Sequence, residues 1–391
     1  MKKQIYLDNA ATTKIRPESM AEYVRVSEEL WGNPSSLHSL GNDAEHVLTA
    51  AKQTILNTLG AKDAEIVFTA SGTEANNMAI IGRALSKERY KKGAKIITTL
   101  GEHASVYAPI DELKKLGFKV SAISTKNGKI DIPELLFELT PDVILVSIMM
   151  VNNETGAVYN IPTVARAIKQ KCPDAILHVD ATQGYMKIPF TKAGIGADLI
   201  TISSHKIEGP KGVGALVIDK DVLKKRGLAP IVHGGGQGLG LRSGTENVPG
   251  VAAFAEAARL AHSELKERID RMNSLRDRLI ERITTDVALS EISLTLPENH
   301  APHILNLTLP SIKSETMLHY LSSEGIFVSS GSACSSNGGH VSSALTAYGR
   351  SSEDADSSIR VSFSASNTEE DVDALCEALA KGLEKLARIK R

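Results

Sequence analysis

The chain has 391 residues, enough for two or three domains that can each bury a sizeable core. Its 45 Lys and Arg residues balance 46 Asp and Glu residues, so the net charge of −1 provides neither the basic field that nucleic-acid binding needs nor an acidic tail. A hydrophobic content of 42% with 23% charged residues is ordinary for globular proteins and argues against disorder or fibrous repeats.

The sequence lacks the usual signals for a membrane or an oxidising compartment. Its longest apolar stretch, 143–151, is far shorter than the ~20 residues of a membrane span, and Asp8 comes too early for the apolar core of a signal peptide. Cys172, Cys334 and Cys376 are widely separated, which argues against a disulfide framework or a zinc site. We therefore expect a soluble, reduced, cytoplasmic protein with no metal, membrane or direct nucleic-acid partner.

Short β-branched segments alternate with amphipathic helical stretches between about residues 60 and 220. The six segments that predict strands are 65–70, 95–99, 119–124, 143–151, 175–181 and 198–203. Several are apolar without alternation, as strands covered by helices on both faces should be. The pattern predicts an α/β domain with a mostly parallel sheet, and segment 212–219 follows a turn so closely that it suggests an antiparallel member.

The pattern changes after residue 250. Apolar residues from Leu265 to Ile283 mark a long amphipathic helix, and a strand-rich segment follows that includes 303–309. The chain ends in another helix, for which Thr368 is a candidate N-cap and Asp371 occupies the capping-box position. These elements predict a second, smaller α+β domain.

We place the large domain at residues 15–260 and build the small domain from 1–14 and 261–391. The small domain contains a glycine- and serine-rich stretch, 329–343, in which no helix or strand pattern is found. Such a composition favours a mobile loop.

Polar clusters stand at the ends of five predicted strands. They are Ser71–Glu74, Glu102–His103, Asn152–Glu154, Asp180–Gln183 and Ser203–Lys206. Ligands of open α/β sheets bind beyond the carboxyl ends of the strands. One such cluster alone would be interpreted as a loop or a helix cap, but five at equivalent points predict a single shared site.

The cluster Ser71–Thr73 follows a strand and opens a helix over 74–85. Free N–H groups and the helix dipole favour an anion there, and a phosphate is the natural guest. The chain contains neither GxxxxGK nor GxGxxG, which argues against a nucleotide and for a smaller phosphorylated cofactor. Ser203 and His205 can supply further donors.

Three other residues suggest what that cofactor does. Lys206 stands among the donors, where a partly desolvated amine becomes nucleophilic and can form a Schiff base; the alternative is a surface lysine. Asp180 can keep a pyridinium nitrogen protonated, and the alternative is a helix N-cap. His103 can stack on a ring or shuttle protons, although a lone histidine is more often structural. Together with an anion site, these are the parts that pyridoxal 5′-phosphate (PLP) requires.

Motifs along the whole chain carry a resemblance to a known family. They occupy 6–13, 32–38, 73–74, 102–103, 151–154, 178–183, 203–207, 209–214, 242–247, 329–335 and 358–360. In content and order the chain resembles the cysteine desulfurases, which belong to the class V aminotransferase-like group of PLP enzymes. The resemblance implies an α/β fold of the PLP-dependent transferase type (fold type I).

The resemblance also implies a role for each matching residue. Lys206 would be the Schiff-base lysine, Arg360 and Asn153 would hold the substrate carboxylate, and Cys334 would be the nucleophile, so that Cys334, Lys206 and His103 are the catalytic residues. The residues that would bind the cofactor are Lys206, Asp180, Gln183, His103, Thr73, Ser203, His205 and Asn153, joined by Thr245 from the neighbouring subunit of a homodimer.

The implied activity is conversion of L-cysteine to L-alanine, with the sulfur left on Cys334 as a persulfide. It would then pass to an acceptor protein, either an iron–sulfur scaffold or a tRNA-thiolating enzyme. A selenocysteine lyase or another class V aminotransferase or lyase is the closest alternative. The Ser203-x-x-Lys206 pattern of serine hydrolases lacks its companion motifs, and a non-enzymatic sulfur-transfer scaffold would have no need of Lys206.

The other two cysteines have ordinary explanations. Cys376 is in helical step with core positions, and Cys172 precedes a proline at a helix end, so both are expected to be inert. Two departures from the family pattern stand beside Lys206: Ser204 replaces a frequent glycine, and Glu208 replaces a usual aromatic residue. Because of Glu208, the sequence does not settle whether the edge of the site is polar or aromatic.

Overall fold

The computed structural model describes residues 4–86, 93–330 and 342–389. The N-terminal part contains strand β1 (Ile5–Tyr6), helix α1 (Pro17–Glu29) and helix α2 (Ser39–Thr58). None of the helices within these ranges is long and apolar enough to cross a membrane.

Seven strands form the large central sheet. They are β2 (Ala64–Thr69), β3 (Lys95–Thr99), β4 (Lys119–Ile123), β5 (Val143–Met149), β6 (Ile176–Asp180), β7 (Leu199–Ser203) and β8 (Gly214–Asp219). Their order across the sheet is β2-β8-β7-β6-β5-β3-β4. The pairs from β7 to β4 are parallel, whereas β8 runs antiparallel to both β2 and β7. The predicted mostly parallel sheet and its antiparallel member are confirmed.

Helices cover both faces of this sheet. Between the strands lie α3 (Gly72–Leu85), α4 (Ala104–Lys115), α5 (Ile132–Glu138), α6 (Ile161–Lys171), α7 (Lys192–Ile195) and α8 (Lys220–Lys224). Neighbouring strand residues point to opposite faces, so Ile96 joins the core under α3 and α4 while Ile97 joins the core under α2 and α6. The buried strands therefore tolerate apolar residues at every position, as their sequences indicated.

The chain then passes to a second sheet. Helix α9 (Val248–Ser263) packs on the large sheet's core, and α10 (Leu265–Thr285) follows after Glu264. The remaining elements are β9 (Ser293–Thr295), β10 (Ile304–Thr308), α11 (Ser314–Ser323), β11 (Ile326–Phe327), β12 (Ser329–Ser330), α12 (Ser343–Tyr348), α13 (Ser352–Asp356), β13 (Ser358–Ser362) and α14 (Glu369–Ile389). The second sheet is antiparallel with the order β12-β13-β10-β9.

The second sheet has a core of its own. Met272, Leu279 and Ile283 from α10 pack with residues of α14 and of the sheet, and Leu7 near the N-terminus joins the same cluster. Strand β1 pairs in parallel with β11, which ties the first residues to this part of the molecule. The domain bounds given above stay a prediction.

The predicted cap of the last helix is present. The Thr368 hydroxyl accepts from the N–H of Asp371 at 3.3 Å, while the Asp371 carboxylate accepts from the N–H of Thr368 at 3.2 Å. This is the reciprocal arrangement of a capping box. One expectation was wrong: Ser329 and Ser330, the first residues of the glycine- and serine-rich stretch, form β12 and pair with Arg360 and Ile359 of β13.

Candidate active site

A cavity of about 430 Å³ opens where the parallel strands of the large sheet end. The predicted site residues that line it are Thr73, His103, Asn153, Asp180, Gln183, Ser203, His205, Lys206 and Arg360. The first eight lie at the ends of strands of the large sheet or in the segments that follow them, and Arg360 comes from the second sheet. The structure thus brings together clusters spread over nearly three hundred residues of the sequence.

Lys206 lies in a short 3₁₀ turn directly after β7. Its amine donates to the carbonyls of Ala10 and Ala11, at 2.6 and 2.7 Å. These two carbonyls fix the Nζ atom on one side of the cavity. The sequence placed the N-terminal motif in the family pattern but did not predict that its backbone would hold the lysine.

Asp180 ends β6 and is buried. One of its oxygens accepts from the backbone N–H of Thr182 at 2.9 Å, as a local cap would, and the other accepts from the side chain of Asn76 at 2.8 Å. Gln183, three residues on, donates to the Ala10 carbonyl at 2.8 Å and lies 3.2 Å from the ring nitrogen Nε2 of His303. These contacts set the direction of both side chains within the cavity wall.

The N-terminus of α3 forms one end of the cavity. Ser71 caps the helix by accepting from the N–H of Glu74 at 3.2 Å, and Gly72 and Thr73 follow it. A Cβ atom on Gly72 would stand 3.1 Å from the Thr182 hydroxyl, so glycine keeps this end open. The buried hydroxyl of Ser203 has no hydrogen-bond partner among the described residues. Such an orphaned donor is expected where a bound anion completes the site.

His205 stands beside Ser203 at the same end, 3.1 Å from the Thr12 hydroxyl. Burial lowers the pKa of His205 to about 4, and the charges of Lys206 and Lys211 act in the same direction. The ring is therefore neutral at pH 7 and presents one N–H donor rather than a second positive charge.

Arg360 forms the opposite wall. Its guanidinium donates from Nη1 to the carbonyl of Asn153 and from Nη2 to the Asp8 carboxylate, both at 2.8 Å. Its buried Nε–H has no partner among the described residues. The arginine is held in place, close to the cavity, by the N-terminal segment and by the loop after β5.

Glu102, which is buried, and Glu154, which is half-buried, also line the cavity, although the sequence did not single out either of them individually. Burial raises the pKa of Glu102 to about 8, although the carboxyl group accepts from the Thr99 hydroxyl at 2.6 Å. Burial likewise raises the pKa of Glu154 to about 7, and its carboxyl group accepts from the hydroxyl of Ser342 at 2.5 Å. The signal that could have found them is their position: each stands in a polar cluster after a strand.

Two predicted site residues are not placed in the cavity. Thr245 is exposed and does not line it. Cys334 lies outside the described residues, as do residues 331–341 of the predicted mobile loop around it. The other cysteines are where they were expected, since Cys376 is in the second core and Cys172 caps α6. Burial raises the pKa of both thiols, to about 11 for Cys376.

The departure at Glu208 has a structural explanation. This residue follows the Lys206 turn in a left-handed conformation with φ of 67°. Its carboxylate forms a paired contact with the guanidinium of Arg268 on α10, at 2.7 and 3.0 Å. An ion pair with the second part of the chain therefore stands where the family usually has an aromatic residue.

Comparison with known proteins agrees with this geometry. The family model of class V aminotransferases matches residues 5–375. A cysteine desulfurase IscS of Dictyoglomus turgidum is 38% identical over 100% of this chain and 97% of its own length. Among solved structures, a NifS-like protein superposes with a TM-score of 0.90 at 34% identity, covering 98% of this chain and 100% of its own. The protein SspA, solved in complex with cysteine, gives 0.79 at 28% identity over 94% and 100%.

The fold and the site define a PLP-dependent enzyme of fold type I, and the chain belongs to the class V aminotransferase family. Within that family it belongs with the cysteine desulfurases. The family uses PLP, and the residues present fit this cofactor. The cavity offers an amine at Lys206, a carboxylate at Asp180, and an anion site where the Ser203 hydroxyl is unpartnered among the described residues.

Proposed function

We propose that this chain converts L-cysteine to L-alanine and retains the sulfur on Cys334 as a persulfide. The observation that carries the proposal is that Lys206, Asp180 and Arg360 share one cavity in a chain of the cysteine desulfurase family. An amine, a pyridinium partner and a carboxylate receptor are the groups that a PLP enzyme acting on an amino acid needs.

Lys206 would hold the cofactor covalently, and Asp180 would pair with its pyridinium nitrogen. When bound, PLP supplies an electron sink for the bonds around the amino acid's Cα. Gln183, Asn153 and the ring of His103 would contact the cofactor's ring system. Its phosphate would lie at the N-terminus of α3, with Thr73, Ser203 and His205 as donors. The unpartnered Ser203 hydroxyl and the neutral His205 support this assignment.

Arg360 would bind the substrate carboxylate, assisted by Asn153. Its guanidinium is fixed by the Asn153 carbonyl and by Asp8, so little side-chain entropy is lost when substrate arrives. A planar guanidinium can meet a carboxylate with two parallel hydrogen bonds. This contact would orient the amino acid with its Cα above Lys206.

Lys206 would take up the Cα proton after the substrate amine has displaced it from the cofactor, and the Ala10 and Ala11 carbonyls would hold its freed amine in the cavity. His103 would donate or accept a proton in a further step of the reaction. Its ring lines the cavity, and burial lowers the pKa of His103 below its ordinary value. A neutral histidine can donate or accept without bringing a charge into the site.

Cys334 would take the sulfur. Its thiolate attacks the sulfur of cysteine, an S–S bond forms while the Cβ–S bond breaks, and Cβ gains a proton to become the methyl group of alanine. Cysteine and an enzyme thiol thus give alanine and an enzyme persulfide without an outside oxidant. Cys172 and Cys376 are unsuited to this role, because a buried thiol with a raised pKa is a poor nucleophile.

We also propose that the enzyme works as a homodimer in the cytoplasm and passes its sulfur to an acceptor protein, an iron–sulfur scaffold or a tRNA-thiolating enzyme. The exposed position of Thr245 supports the dimer, since a residue outside its own chain's cavity is free to reach a neighbour's. Trp31 and Leu37, which are 67% and 98% exposed, offer apolar surface for an interface.

The test supplies wild-type holoenzyme with L-cysteine and no reductant. Mass spectrometry should find one added sulfur atom on the peptide with Cys334 and none on Cys172 or Cys376. Cys334→Ser should keep the cofactor absorbance yet release almost no alanine, because a hydroxyl cannot replace a thiolate at neutral pH. Cys172→Ser is the matched control with full turnover. Normal alanine output from Cys334→Ser would leave a transaminase or a lyase, and turnover of selenocysteine alone would favour a selenocysteine lyase.

A further inference from the structure

The ring of His103 is held at one nitrogen by a single neighbour, Ser105. His103 caps helix α4, and its Nδ1 atom lies 3.1 Å from the backbone N–H of Ser105 and 2.8 Å from the Ser105 hydroxyl. A backbone N–H can only donate, so Nδ1 must present its lone pair and carry no proton. The neutral ring therefore has its proton on Nε2.

The Ser105 hydroxyl is itself directed by Asn76 from the neighbouring helix α3. The Asn76 amide nitrogen donates to the Ser105 oxygen at 2.8 Å and to the Asp180 carboxylate at 2.8 Å. A carboxylate only accepts, which fixes the amide group with its NH₂ toward Asp180. The hydroxyl of Ser105 has one proton, and because its oxygen accepts from Asn76, that proton goes to Nδ1 of His103.

The arrangement leaves one polar atom unsatisfied. Asn76 is 1% exposed, and its Oδ1 atom has no hydrogen-bond partner among the described residues. An apolar residue would fill the same space between α3 and α4 without an orphaned acceptor. The position is thus better explained by the two bonds that the amide donates than by packing.

We propose that Asn76 and Ser105 are positioning residues that donate in series toward His103, hold its proton on Nε2, and join the ring to the Asp180 carboxylate. Asn76, Ser105, His103 and Asp180 all line the cavity, so the series runs along one wall. The role of His103 in proton transfer rests on the proposed function. The hydrogen-bond series does not, because it is defined by this chain's own atoms.

The consequence for His103 is a preference for donation. To become an imidazolium the ring must protonate Nδ1, which breaks the contact with the Ser105 N–H and forces the Ser105 hydroxyl to change from donor to acceptor. The charged groups that face the ring, Asp180, Lys206 and Arg360, do not overcome this: the first favours the cation and the other two oppose it, while burial lowers the pKa of His103. His103 is therefore a neutral Nε2–H donor in the resting site.

The test reads the tautomer of His103 directly by ¹H–¹⁵N correlation spectroscopy of ¹⁵N-histidine-labelled holoenzyme. His103→Gln assigns the signal among the 11 histidines. Wild-type protein should show the Nε2–H form. Ser105→Ala keeps the backbone N–H but removes the hydroxyl that donates to Nδ1 of the neutral ring, so the His103 pKa should rise by roughly 0.5 to 1 unit with some Nδ1–H form present. Asn76→Ala should likewise increase the share of the Nδ1–H form. Ser105→Thr keeps a hydroxyl at this position and should show the Nε2–H form of the wild-type protein.

The matched control is Asn77→Ala. Asn77 is the next residue on α3, and among the described residues its amide donates to the carbonyl of Thr73 at 2.9 Å, so the His103 signal should not move. An Nδ1–H ring in wild-type protein, or an unchanged His103 titration in Ser105→Ala, would overturn the proposal. A protein with the Nε2–H ring that makes no alanine would overturn the proposed function and leave the hydrogen-bond series standing.

Discussion

Arg360 and Ser330 bring the second sheet to the cavity, and Arg360 is the charged one of the two. Its guanidinium reaches back to the loop after β5 and to Asp8 near the N-terminus. Asp8 occupies one Nη nitrogen with a carboxylate of the same type that an amino acid substrate would present. A substrate carboxylate must therefore share this nitrogen with Asp8 or accept from other N–H groups of the guanidinium.

Arg360→Lys tests whether the planar group matters. Lysine offers a point charge and cannot satisfy Asn153, Asp8 and a substrate carboxylate together. The KM for L-cysteine should rise by about 10- to 100-fold, the loss of one or two charge-assisted hydrogen bonds, while the cofactor stays bound. Steady-state alanine formation and the absorbance of the bound cofactor measure the two effects.

Arg350→Lys provides the control for this change. Arg350 donates to Thr295 and to the carbonyl of Leu294, away from the cavity, and its replacement should leave KM unchanged. If Arg360→Lys behaved like Arg350→Lys, the guanidinium of Arg360 would have a structural role only.

At the scale of elements, the buried pair of Glu208 and Arg268 joins the Lys206 turn to helix α10. Their side chains are 14% and 6% exposed, and Arg268 also approaches Glu264 at 3.5 Å. The turn that carries Lys206 is thus fixed to the helix that begins the second core. Burial alone would raise the pKa of Glu208, but the hydrogen bond and charge of Arg268, together with the charges of Lys187 and Arg16, hold the pKa below its usual range.

Arg268→Ala should destabilise the protein strongly, because it leaves the Glu208 carboxylate buried without its partner. The expected loss is about 3 to 5 kcal/mol in the free energy of unfolding, measured by urea denaturation of the holoenzyme. Replacing both partners, with Glu208→Gln and Arg268→Met, should cost less than Arg268→Ala alone.

Arg259→Ala is the matched control, since Arg259 pairs with Glu256 on the exposed face of α9. Surface pairs of this kind contribute less than about 1 kcal/mol. Equal losses from Arg268→Ala and Arg259→Ala would show that the buried pair has no special role in joining the two elements.

The elements themselves could largely be predicted from the sequence, because their signals are local. Apolar runs such as 143–151 and the cap at Thr368 and Asp371 depend only on near neighbours, and the structure has a strand and a capped helix there. Strand β12 could not be predicted, since two serines become a strand only by pairing with β13.

The candidate site divides in the same way. The strand-end clusters could be found because the topology of an α/β sheet brings such ends together. The roles of Asn76 and Asp8 could not be found in this way, since each depends on a partner more than a hundred residues away. Asn76 contacts Asp180, and Asp8 contacts Arg360. Arg268 also appears as an ordinary polar helix residue until its contact with Glu208 is known.

At the scale of the whole molecule, the proposed dimer can be tested by mixing subunits. If Thr245 serves the neighbour's cofactor phosphate, a mixed dimer of Lys206→Ala and Thr245→Ala chains contains one intact site, because the Lys206→Ala chain lends its Thr245 to the other. The amount of bound cofactor and the rate of alanine formation should then recover toward half of the wild-type value per dimer.

Analytical ultracentrifugation accompanies this measurement and should report a dimer for wild-type holoenzyme. Lys206→Ala mixed with wild-type chains is the control for subunit exchange. A monomer with full cofactor occupancy, or a mixture no more active than its separate components, would contradict the dimer with shared sites.

The N-terminal segment contacts both halves of the cavity, and this has a consequence for the timing of synthesis. Ala10 and Ala11 hold Lys206, whereas Asp8 holds Arg360, a residue 352 positions later. At translation rates of 5 to 20 residues per second, roughly 20 to 70 s separate the synthesis of these two ends. A nascent chain can bring its lysine to the first carbonyls while the arginine does not yet exist. The cavity therefore gains Lys206 before it gains Arg360, and an unfinished chain lacks the arginine that we propose as the receptor for the substrate carboxylate.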